Sequence, residues 1–562
     1  MKTLLKGGTV VNVFTGELEK ANVLIDGETI VGVGDYNDSD ADIIENTDGK
    51  FICPGFIDSH IHIESTMLTP SELAKMCLPH GTTAIVADPH EIANVCGVDG
   101  IRYMMEASEK IPMHVYFALP SCVPATPFDE SGANLTASDL QPLYESRRVI
   151  GLAEMMNYPG VLANDADVVQ KIMDARSFGK VVDGHAPCLT GKALDQYVAA
   201  GIQSDHECAY ASEAIEKIRK GQWVMIRQGT AARNLAELLP LFEAPYKHRC
   251  VLVTDDRHPA DIEKEGHIDH IIRLAVQNGK NAVTAIQMAT IQAAQCFGLS
   301  YVGAVAPAYR ADILILDDLN SVNVYDVYAG GKKVVDHKKV CHFPEPQIDR
   351  ALLDTVKNSF HIEPLKPSDF YIEEKGSKCR VIRVLAGELV TNEEVRDIRW
   401  NVQNGADPEN DILKLAVLER HKNTGHKGLG FISGIGLKKG AIASSVSHDS
   451  HNLIVIGTNE EDMALAANHI CQTGGNVVVA DGEILAEMKL PIAGLMTEAS
   501  GSEIAQANEA VRDAVRKLGV AEGIEPFMNM AFVSLPVIPS IKMTTQGLVD
   551  VNKQERISLY CD

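Results

Sequence analysis

The sequence His60-Ile61-His62 ends an apolar run that begins near Ile52. On a β-strand, side chains two residues apart point to the same side, so both imidazoles can reach one metal ion. Imidazole nitrogen is a common ligand of zinc and of other first-row transition metals. The pattern His-x-His is short and frequent, so taken alone it leaves a metal site and a chance occurrence equally open.

Four further potential ligands each follow a short apolar run later in the chain: Glu154, His185, His206 and Asp255. Such runs predict β-strands, and the active sites of (β/α)₈ barrels form from residues at the C-terminal ends of several strands. A single histidine in such a place is most often a core or loop residue. Six residues in this order instead predict a metal site, because a buried charge is costly unless it is paired or bound to a metal.

Several other polar residues compete for roles in this site. Asp256 competes with Asp255, because neighbours on a strand face opposite ways and only one can reach the metal. The segment with Asp88, His90 and Glu91 is rich in potential ligands. It could orient a substrate, hold an additional metal or form a solvated loop. His448, Asp449 and His451 lie far along the chain, where the residues alone indicate a polar turn.

The elements that must position these residues alternate between short apolar runs and segments of helical spacing. The predicted strands are 84–87, 114–118, 149–153, 181–183, 203–205, 223–226 and 251–254. Residues 163–178 and 191–200 predict amphipathic helices between them. This alternation favours an α/β fold of the (β/α)₈ TIM-like barrel type over 53–300. A doubly wound open sheet is the alternative, and its dinucleotide-binding form is disfavoured because no Gly-x-Gly-x-x-Gly follows a strand.

The two flanks of the barrel region differ from it. Residues 1–52 and 301–342 contain short β-type runs, and we expect them to pair into one small β-sandwich domain. Residues 343–562 contain β-type runs at 452–457 and 476–480 and helical segments at 460–473 and 502–517. This last region is predicted to be an additional C-terminal α/β domain.

Composition excludes some partners. The net charge of −25 disfavours binding to a phosphate polyanion, so no nucleic acid is expected. No run approaches the roughly 18 apolar residues that span a bilayer, so no membrane partner is expected. The N-terminal apolar stretch is too short for a signal peptide, and the 12 cysteines contain no Cys-x-x-Cys pair. These features predict a cytoplasmic protein, and we expect a homodimer or a larger homo-oligomer.

The order of the potential ligands resembles that of the amidohydrolase superfamily, and the flanking β segments resemble its split β-sandwich. This likeness covers roughly residues 1–340. Many members have a carbamylated lysine after the fourth barrel strand, whereas Glu154 stands there in this chain. A glutamate at this place is similar to the adenine deaminases of the superfamily. Five segments also look like that family: 54–65, 87–94, 183–187, 254–259 and 444–452.

The resemblance implies hydrolytic deamination of adenine to hypoxanthine and ammonia in purine salvage. It implies two divalent metal ions, Mn²⁺ or Fe²⁺, with Zn²⁺ also compatible with nitrogen and oxygen ligands. His60 and His62 would hold one ion, His185 and His206 the other, Glu154 would bridge them and Asp255 would complete the set. A hydroxide activated by the metals would attack C6 of adenine. Asp255 would shuttle the proton, and Glu91 or Glu64 would assist at N1.

The resemblance also assigns expected roles around the substrate. Adenine would contact His90, Asp88 and Asp256, and the C-terminal domain would contribute to the cover of the active site. From that domain, His448, Asp449 and His451 would contact the purine, because an active site open to water stabilises charge poorly. Two alternatives stand beside this prediction: another cyclic amidohydrolase, dihydropyrimidinase-like or imidazolonepropionase-like, and a non-catalytic scaffold with the same fold.

Overall fold

The computed structural model describes residues 1–561, which form two compact units. The first unit contains Met1–Pro89, Met104–Ser121 and Thr136–Gln347. The second contains His90–Tyr103, Cys122–Leu135 and the chain from Ile348 onward. Within the described residues, no helix has the length and apolar character that a membrane crossing requires.

A closed barrel of parallel strands forms the centre of the first unit. A five-stranded and a three-stranded parallel sheet follow one another in chain order. The Gln203 amide, which donates to the Val182 carbonyl, links the two sheets, and a parallel bridge between Ile61 and Asp255 closes the ring. The barrel strands are Phe56–Ile61, Thr82–Ala87, His114–Leu119, Val149–Met155, Val181–Gly184, Ser204–Asp205, Trp223–Arg227 and Cys250–Val253. The predicted (β/α)₈ barrel is confirmed, and the open-sheet alternative is wrong.

The interior of the barrel is packed with apolar side chains. Ile57, Val86, Met225 and Val253 belong to one buried cluster, which Phe297 extends. The strands are buried on both faces because the helices cover them outside. The α-helices of this unit beyond the second barrel strand are Ala137–Leu140, Tyr158–Ala163, Ala166–Ser177, Gly191–Ala199, Ala211–Arg219, Leu235–Leu238, Pro259–Glu265, Ile268–Gln277, Ala282–Met288 and Ile291–Cys296, and Pro70–Cys77 precedes that strand.

The helix predicted over 163–178 is present as Ala166–Ser177 and begins three residues later than predicted. Asn164 adopts a left-handed conformation with φ 56° and ends the helix Tyr158–Ala163. The Asp165 side chain then accepts hydrogen bonds from the backbone amides of Asp167 and Val168. Asn164 therefore ends one helix, and Asp165 is the N-cap of the next. The amphipathic sequence pattern continues across this break between the two helices.

Both flanks of the barrel build one β-sandwich. Strand Ile313–Leu316 pairs antiparallel with Phe51–Pro54, which pairs parallel with Thr9–Val11. The seven-stranded sheet runs Lys339–Val340, Lys332–Asp336, Val324–Ala329, Ile313–Leu316, Phe51–Pro54, Thr9–Val11 and Leu18–Lys20. The four-stranded sheet runs Thr29–Gly34, Asn22–Asp26, Lys2–Lys6 and Ile43–Asn46. Buried side chains from both flanks, such as Leu5 and Ile313, share one core, as predicted.

The second unit is built on an eight-stranded mixed sheet. Its strands, in sheet order, are Thr391–Asp397, Lys378–Val384, Lys427–Ser433, Leu413–Leu418, Leu453–Gly457, Ala441–Ser444, Asn476–Ala480 and Glu483–Met488. Its α-helices beyond residue 347 are Arg350–Lys357, Glu460–Thr473, Gly501–Lys517 and Pro526–Val533. A three-stranded sheet adds Ile541–Thr544, Gly547–Asp550 and Glu555–Arg556. The predicted C-terminal α/β region is therefore present as part of this unit.

Two segments that were predicted to be part of the barrel, His90–Tyr103 and Cys122–Leu135, belong to the second unit. They follow the second and third barrel strands, and they hold each other through the Gly132 amide, which donates to the Asn94 carbonyl. Glu130 joins them to the later chain: its carbonyl accepts from Asn452 Nδ2 at 2.7 Å and its Oε2 accepts from Thr545 Oγ1 at 2.5 Å. The alternation of strands and helices carries no information on such contacts, so the predicted boundary at residue 343 differs from the observed division.

Candidate metal centre

The six side chains predicted as ligands lie at the C-terminal ends of barrel strands. His60 stands near the end of the first strand and His62 directly after it, while Glu154 is the second-last residue of the fourth. The other three, His185, His206 and Asp255, follow the fifth, sixth and eighth strands. All except His185 are almost fully buried. The barrel therefore brings them to one face, where active sites of this fold lie.

Asp255 lies beside the two histidines of the first strand. Its Oδ1 is 3.2 Å from Nε2 of His62 and 3.6 Å from Nε2 of His60. The other nitrogen of each ring is also engaged. His60 Nδ1 lies 3.2 Å from Oδ2 of Asp183, and His62 Nδ1 lies 3.2 Å from the carbonyl oxygen of Asp88. Both contacts place the ring proton on Nδ1 and leave Nε2 to act as a ligand.

Glu154 lies between two pairs of histidines. Its Oε1 is 3.4 Å from Nε2 of His62, while its Oε2 is 2.6 Å from Nδ1 of His185 and 3.3 Å from Nε2 of His206. One oxygen therefore faces each pair. Three overlapping groups have ligand atoms within 4.8 Å of one another: His60 with Glu154 and His206, His60 with His62 and Asp255, and His185 with His206 and Glu207.

The donor set fits divalent cations. Nitrogen and carboxylate oxygen without thiolate suit Mn²⁺, Fe²⁺ or Zn²⁺. His60 Nε2 is buried and makes no hydrogen bond within the described residues, although it faces the Asp255 carboxylate. Burial tends to raise the pKa of Glu154, but His185 and the other imidazoles hold it well below its usual range. An ionised carboxylate among buried imidazole nitrogens is the environment that a cation completes.

Two family models match this chain. One, described as the amidohydrolase family, matches residues 51–334, and the other, described as the adenine deaminase C-terminal domain, matches residues 388–555. The adenine deaminase of Desulfatibacillum aliphaticivorans is 44% identical, over 99% of this chain and 97% of that protein. Adenine deaminase 2 of Carboxydothermus hydrogenoformans is 45% identical, over 98% of this chain and 95% of that protein. This chain belongs to the adenine deaminase family.

Membership in the adenine deaminase family confirms the predicted resemblance and the prediction of a hydrolase that acts on C–N bonds. Among solved structures, the β-aspartyl dipeptidase of Fervidobacterium islandicum AW-1 aligns with a TM-score of 0.48 at 14% identity. That alignment covers 61% of this chain and 98% of the dipeptidase. The amidohydrolase family is metal-dependent, which agrees with the cluster of histidine and carboxylate side chains at the barrel face.

Asp255 and Asp256, which the sequence leaves in competition, face different neighbours in this member of the adenine deaminase family. Asp255, two residues after the eighth strand ends, has φ 58°, and its carboxylate faces His60 and His62. Asp256 instead accepts a hydrogen bond from Ser65 Oγ at 2.6 Å. Ser65 belongs to the short helix Glu64–Thr66, which also carries the buried Glu64.

Two further charged residues, Arg227 and Glu207, belong to the centre beside the six predicted ligands. Arg227 Nη1 donates to Asp255 Oδ2 at 2.7 Å and also pairs with Glu207. Glu207 Oε1 lies 3.4 Å from His206 Nε2 and 3.8 Å from His185 Nδ1. Arg227 is the last residue of the seventh strand, and Glu207 directly follows His206. Both residues lie at the ends of barrel strands, as the predicted histidines do. A search that covered the seventh strand and the second residue after the sixth strand would therefore indicate them from the sequence.

Asp88 lies in the first unit, whereas five other predicted residues meet in the second unit of this adenine deaminase family member: His90, Glu91, His448, Asp449 and His451. Glu91 Oε1 lies 3.0 Å from Nδ1 of His448, and Glu91 Oε2 lies 3.9 Å from Nε2 of His451. His90 Nε2 lies 3.9 Å from Asp449 Oδ1. His451 Nδ1 accepts the Ser447 amide at 3.2 Å, so the ring proton of neutral His451 is on Nε2. The protonated Nε2 of neutral His451 therefore faces the Glu91 carboxylate, 3.9 Å away.

Proposed function

We propose that this chain hydrolyses adenine to hypoxanthine and ammonia. The observation that carries the proposal is the position of Glu154, whose two oxygens face different histidine pairs at the catalytic face of the barrel. The adenine deaminases of similar length, at 44–45% identity over nearly the whole chain, support the choice of adenine as the substrate.

We further propose two divalent cations, Mn²⁺ or Fe²⁺, with Zn²⁺ as a possible substitute. His60, His62 and Asp255 would bind the first ion, and His185 and His206 would bind the second. Glu154 would bind both ions. Bound divalent cations lower the pKa of water toward about 7 and so supply a nucleophile at neutral pH. Asp183, which contacts His60 Nδ1, would orient that ligand.

Asp255 is the proposed proton carrier. Hydrolysis adds water at C6 and releases ammonia, so one proton of the attacking water passes to the exocyclic nitrogen and the other ends on N1 of hypoxanthine. The Asp255 carboxylate would accept the first of these protons and deliver it to the leaving amine. Arg227 supports the first step, since its charge holds the pKa of Asp255 well below its usual range, although burial acts in the opposite direction. Asp255 is then ionised before the reaction begins.

Contacts to the purine ring are proposed for several acidic and imidazole groups. Glu64 and Glu91 are the candidates for the hydrogen bond to N1. Glu91 lies on the helix His90–Ala107, which begins three residues after the second barrel strand ends at Ala87. We propose that adenine also contacts six further residues: Asp88, His90, Asp256, His448, Asp449 and His451. We also propose that the enzyme acts in the cytoplasm, where thiols stay reduced, since its twelve cysteines are all free in the described structure. A homodimer or larger homo-oligomer is proposed as its assembly.

An ammonia-release assay with Mn²⁺ tests the substrate. We expect turnover of adenine, with adenosine a poor substrate and pyrimidines and cyclic amides inert. A dihydropyrimidinase-like enzyme would instead open a cyclic amide without releasing ammonia, and a scaffold would turn over none of these compounds. Equal turnover of adenine and adenosine would contradict the proposed preference for the free base.

A further inference from the structure

A buried lysine lies behind two of the histidines of the metal centre. Lys217, on the helix Ala211–Arg219, has a side chain that is 0% exposed. Its Nζ donates to the Ala186 carbonyl at 2.8 Å, to Glu213 Oε1 at 2.8 Å and to Asp205 Oδ2 at 3.1 Å. An ammonium group has three hydrogens to donate, so every one of them has a partner.

The partners of Lys217 adjoin His185 and His206. Ala186 directly follows His185, and Asp205 directly precedes His206. The Asp205 carboxylate also accepts the Ala186 amide at 2.9 Å through Oδ2 and the Glu207 amide at 2.7 Å through Oδ1. Lys217 and Asp205 therefore tie the residue after His185 to the residues on both sides of His206. The connection joins the ends of the fifth and sixth barrel strands.

The charges of this cluster reinforce its geometry. Burial alone would lower the pKa of Lys217, but the Asp205 and Glu213 carboxylates raise it above its ordinary value, so the ammonium form is retained. The sixth strand, Ser204–Asp205, contains only two residues, so the sheet itself fixes little of the chain around His206. A fully paired polar network in a low-dielectric interior is directional and resists rearrangement. The cluster supplies the rigidity that so short a strand lacks.

We propose that Lys217 is a positioning residue that fixes the separation and orientation of His185 and His206 for metal binding. This inference rests on the proposed ligand roles of those two histidines. Lys217 touches neither imidazole and acts through the backbone on either side of them. Groups that orient metal ligands in this way commonly change metal affinity by about tenfold to hundredfold when they are removed.

A lysine elsewhere in the barrel provides a matched control. Lys180 Nζ donates to the carbonyl of Val149 at 2.6 Å. Val149 is the first residue of the fourth strand, at the end of the barrel away from the ligands. Lys180→Met removes the same kind of ammonium–carbonyl contact as Lys217→Met, without touching the chain beside a ligand. Lys217→Met combined with Glu213→Gln removes one charge of each sign, so the net charge of the cluster stays the same and only the Asp205 carboxylate loses its ammonium partner.

The experiment titrates metal-free protein with Mn²⁺ in competition with a chelator and counts bound ions by elemental analysis. For Lys217→Met and for the double variant, we expect one of two Mn²⁺ ions to bind ten to one hundred times more weakly, with an unchanged circular dichroism spectrum. Turnover should recover in part when Mn²⁺ is raised to saturation. Lys180→Met should bind both ions as the parent does.

The outcomes separate this inference from the proposed site. Parent-like Mn²⁺ affinity in a folded double variant contradicts the role of Lys217, and so does a double variant that fails to fold, because the lysine would then support the whole barrel. His206→Ala serves as the benchmark and should lose one ion. If His206→Ala retains two tightly bound Mn²⁺ ions, the proposed ligand set itself is wrong, whatever the Lys217 variants do.

Discussion

Arg227 and Asp255 form an ion pair on the side of the carboxylate that faces away from the histidines. Nη1 of Arg227 donates to Oδ2 of Asp255 at 2.7 Å, while Oδ1 of Asp255 faces His62 at 3.2 Å. Arg227 also pairs with Glu207, so one guanidinium neutralises two carboxylates of the centre. The fixed fork of an arginine suits this double role better than a single ammonium charge.

The substitution Arg227→Met should lower kcat at least tenfold and destabilise the protein. It leaves Asp255 and Glu207 buried without their common cation, and removal of one partner of a buried pair costs about 3–5 kcal/mol. The effect on KM should be smaller, because the arginine acts through the carboxylate. Steady-state kinetics with saturating Mn²⁺ and a melting curve measure both effects.

Arg233→Met is the control for that substitution. The Arg233 side chain is 45% exposed and lies 3.6 Å from Asp261, so its loss should change stability by about 0.5 kcal/mol or less. Parent-like kcat in Arg227→Met would show that Asp255 needs no counterion to function.

The substitution Glu154→Gln should release at least one metal ion and remove most activity. The neutral amide keeps nearly the same shape but lacks the negative charge that holds two cations near each other. Elemental analysis and the ammonia-release assay measure the two effects. Two retained metal ions with near-parent turnover would show that Glu154 does not bridge. Glu487→Gln is a suitable control, because that residue pairs with His469 in the second unit.

The place of the six predicted ligands at one face of the barrel can be predicted from the sequence, because side chains at the C-terminal ends of successive barrel strands converge. His185 and His206 could be assigned on that basis without any knowledge of their neighbours. The role of Lys217 could not be predicted in this way, because its contacts with Ala186 and Asp205 require that two separate loops lie close together in the folded barrel. Residues 90–103 and 122–135 are predicted to be part of the barrel for the same reason. Their contacts are with residues far along the chain, and such contacts cannot be predicted from local sequence patterns.

The substitution Lys542→Met should stabilise the protein most at or below neutral pH. Lys542 is buried, its Nζ donates to the Leu389 carbonyl at 3.0 Å, and burial lowers its pKa from 10.5 to about 7. Between pH 7 and pH 10.5 the unfolded chain therefore binds more protons than the folded one, and the stability of the parent rises with pH. The advantage of methionine should be about 4 kcal/mol at pH 7 and fall to about 1 kcal/mol at pH 10.

Melting temperatures of the parent and Lys542→Met at pH 7 and pH 10 provide the measurement. Lys439→Met serves as the control, since that side chain is 58% exposed and pairs with Asp481 on the surface. A gap between parent and Lys542→Met that is the same at both pH values would show that Lys542 keeps an ordinary pKa in the folded protein.

Single alanine substitutions at His448, Asp449 and His451 should lower kcat/KM without changing metal content. His448 Nδ1 and His451 Nε2 both face the Glu91 carboxylate, so loss of either imidazole frees Glu91 to rotate. Asp449 lies beside His90 and would act in the same way on that ring. Because the proton of neutral His451 lies on Nε2, His451→Gln, which can donate through its amide, should retain more activity than His451→Ala.

His469→Ala tests whether loss of any histidine–glutamate pair of the second unit has the same effect. His469 Nε2 lies 2.6 Å from Glu487 Oε2, a pair on the helix Glu460–Thr473 and the strand Glu483–Met488. Its loss should leave kcat/KM within about twofold of the parent, since it contacts neither Glu91 nor His90. If the variants at 448, 449 and 451 also behave like the parent, the Glu91 cluster serves folding, and the contacts to the purine must come from residues of the barrel.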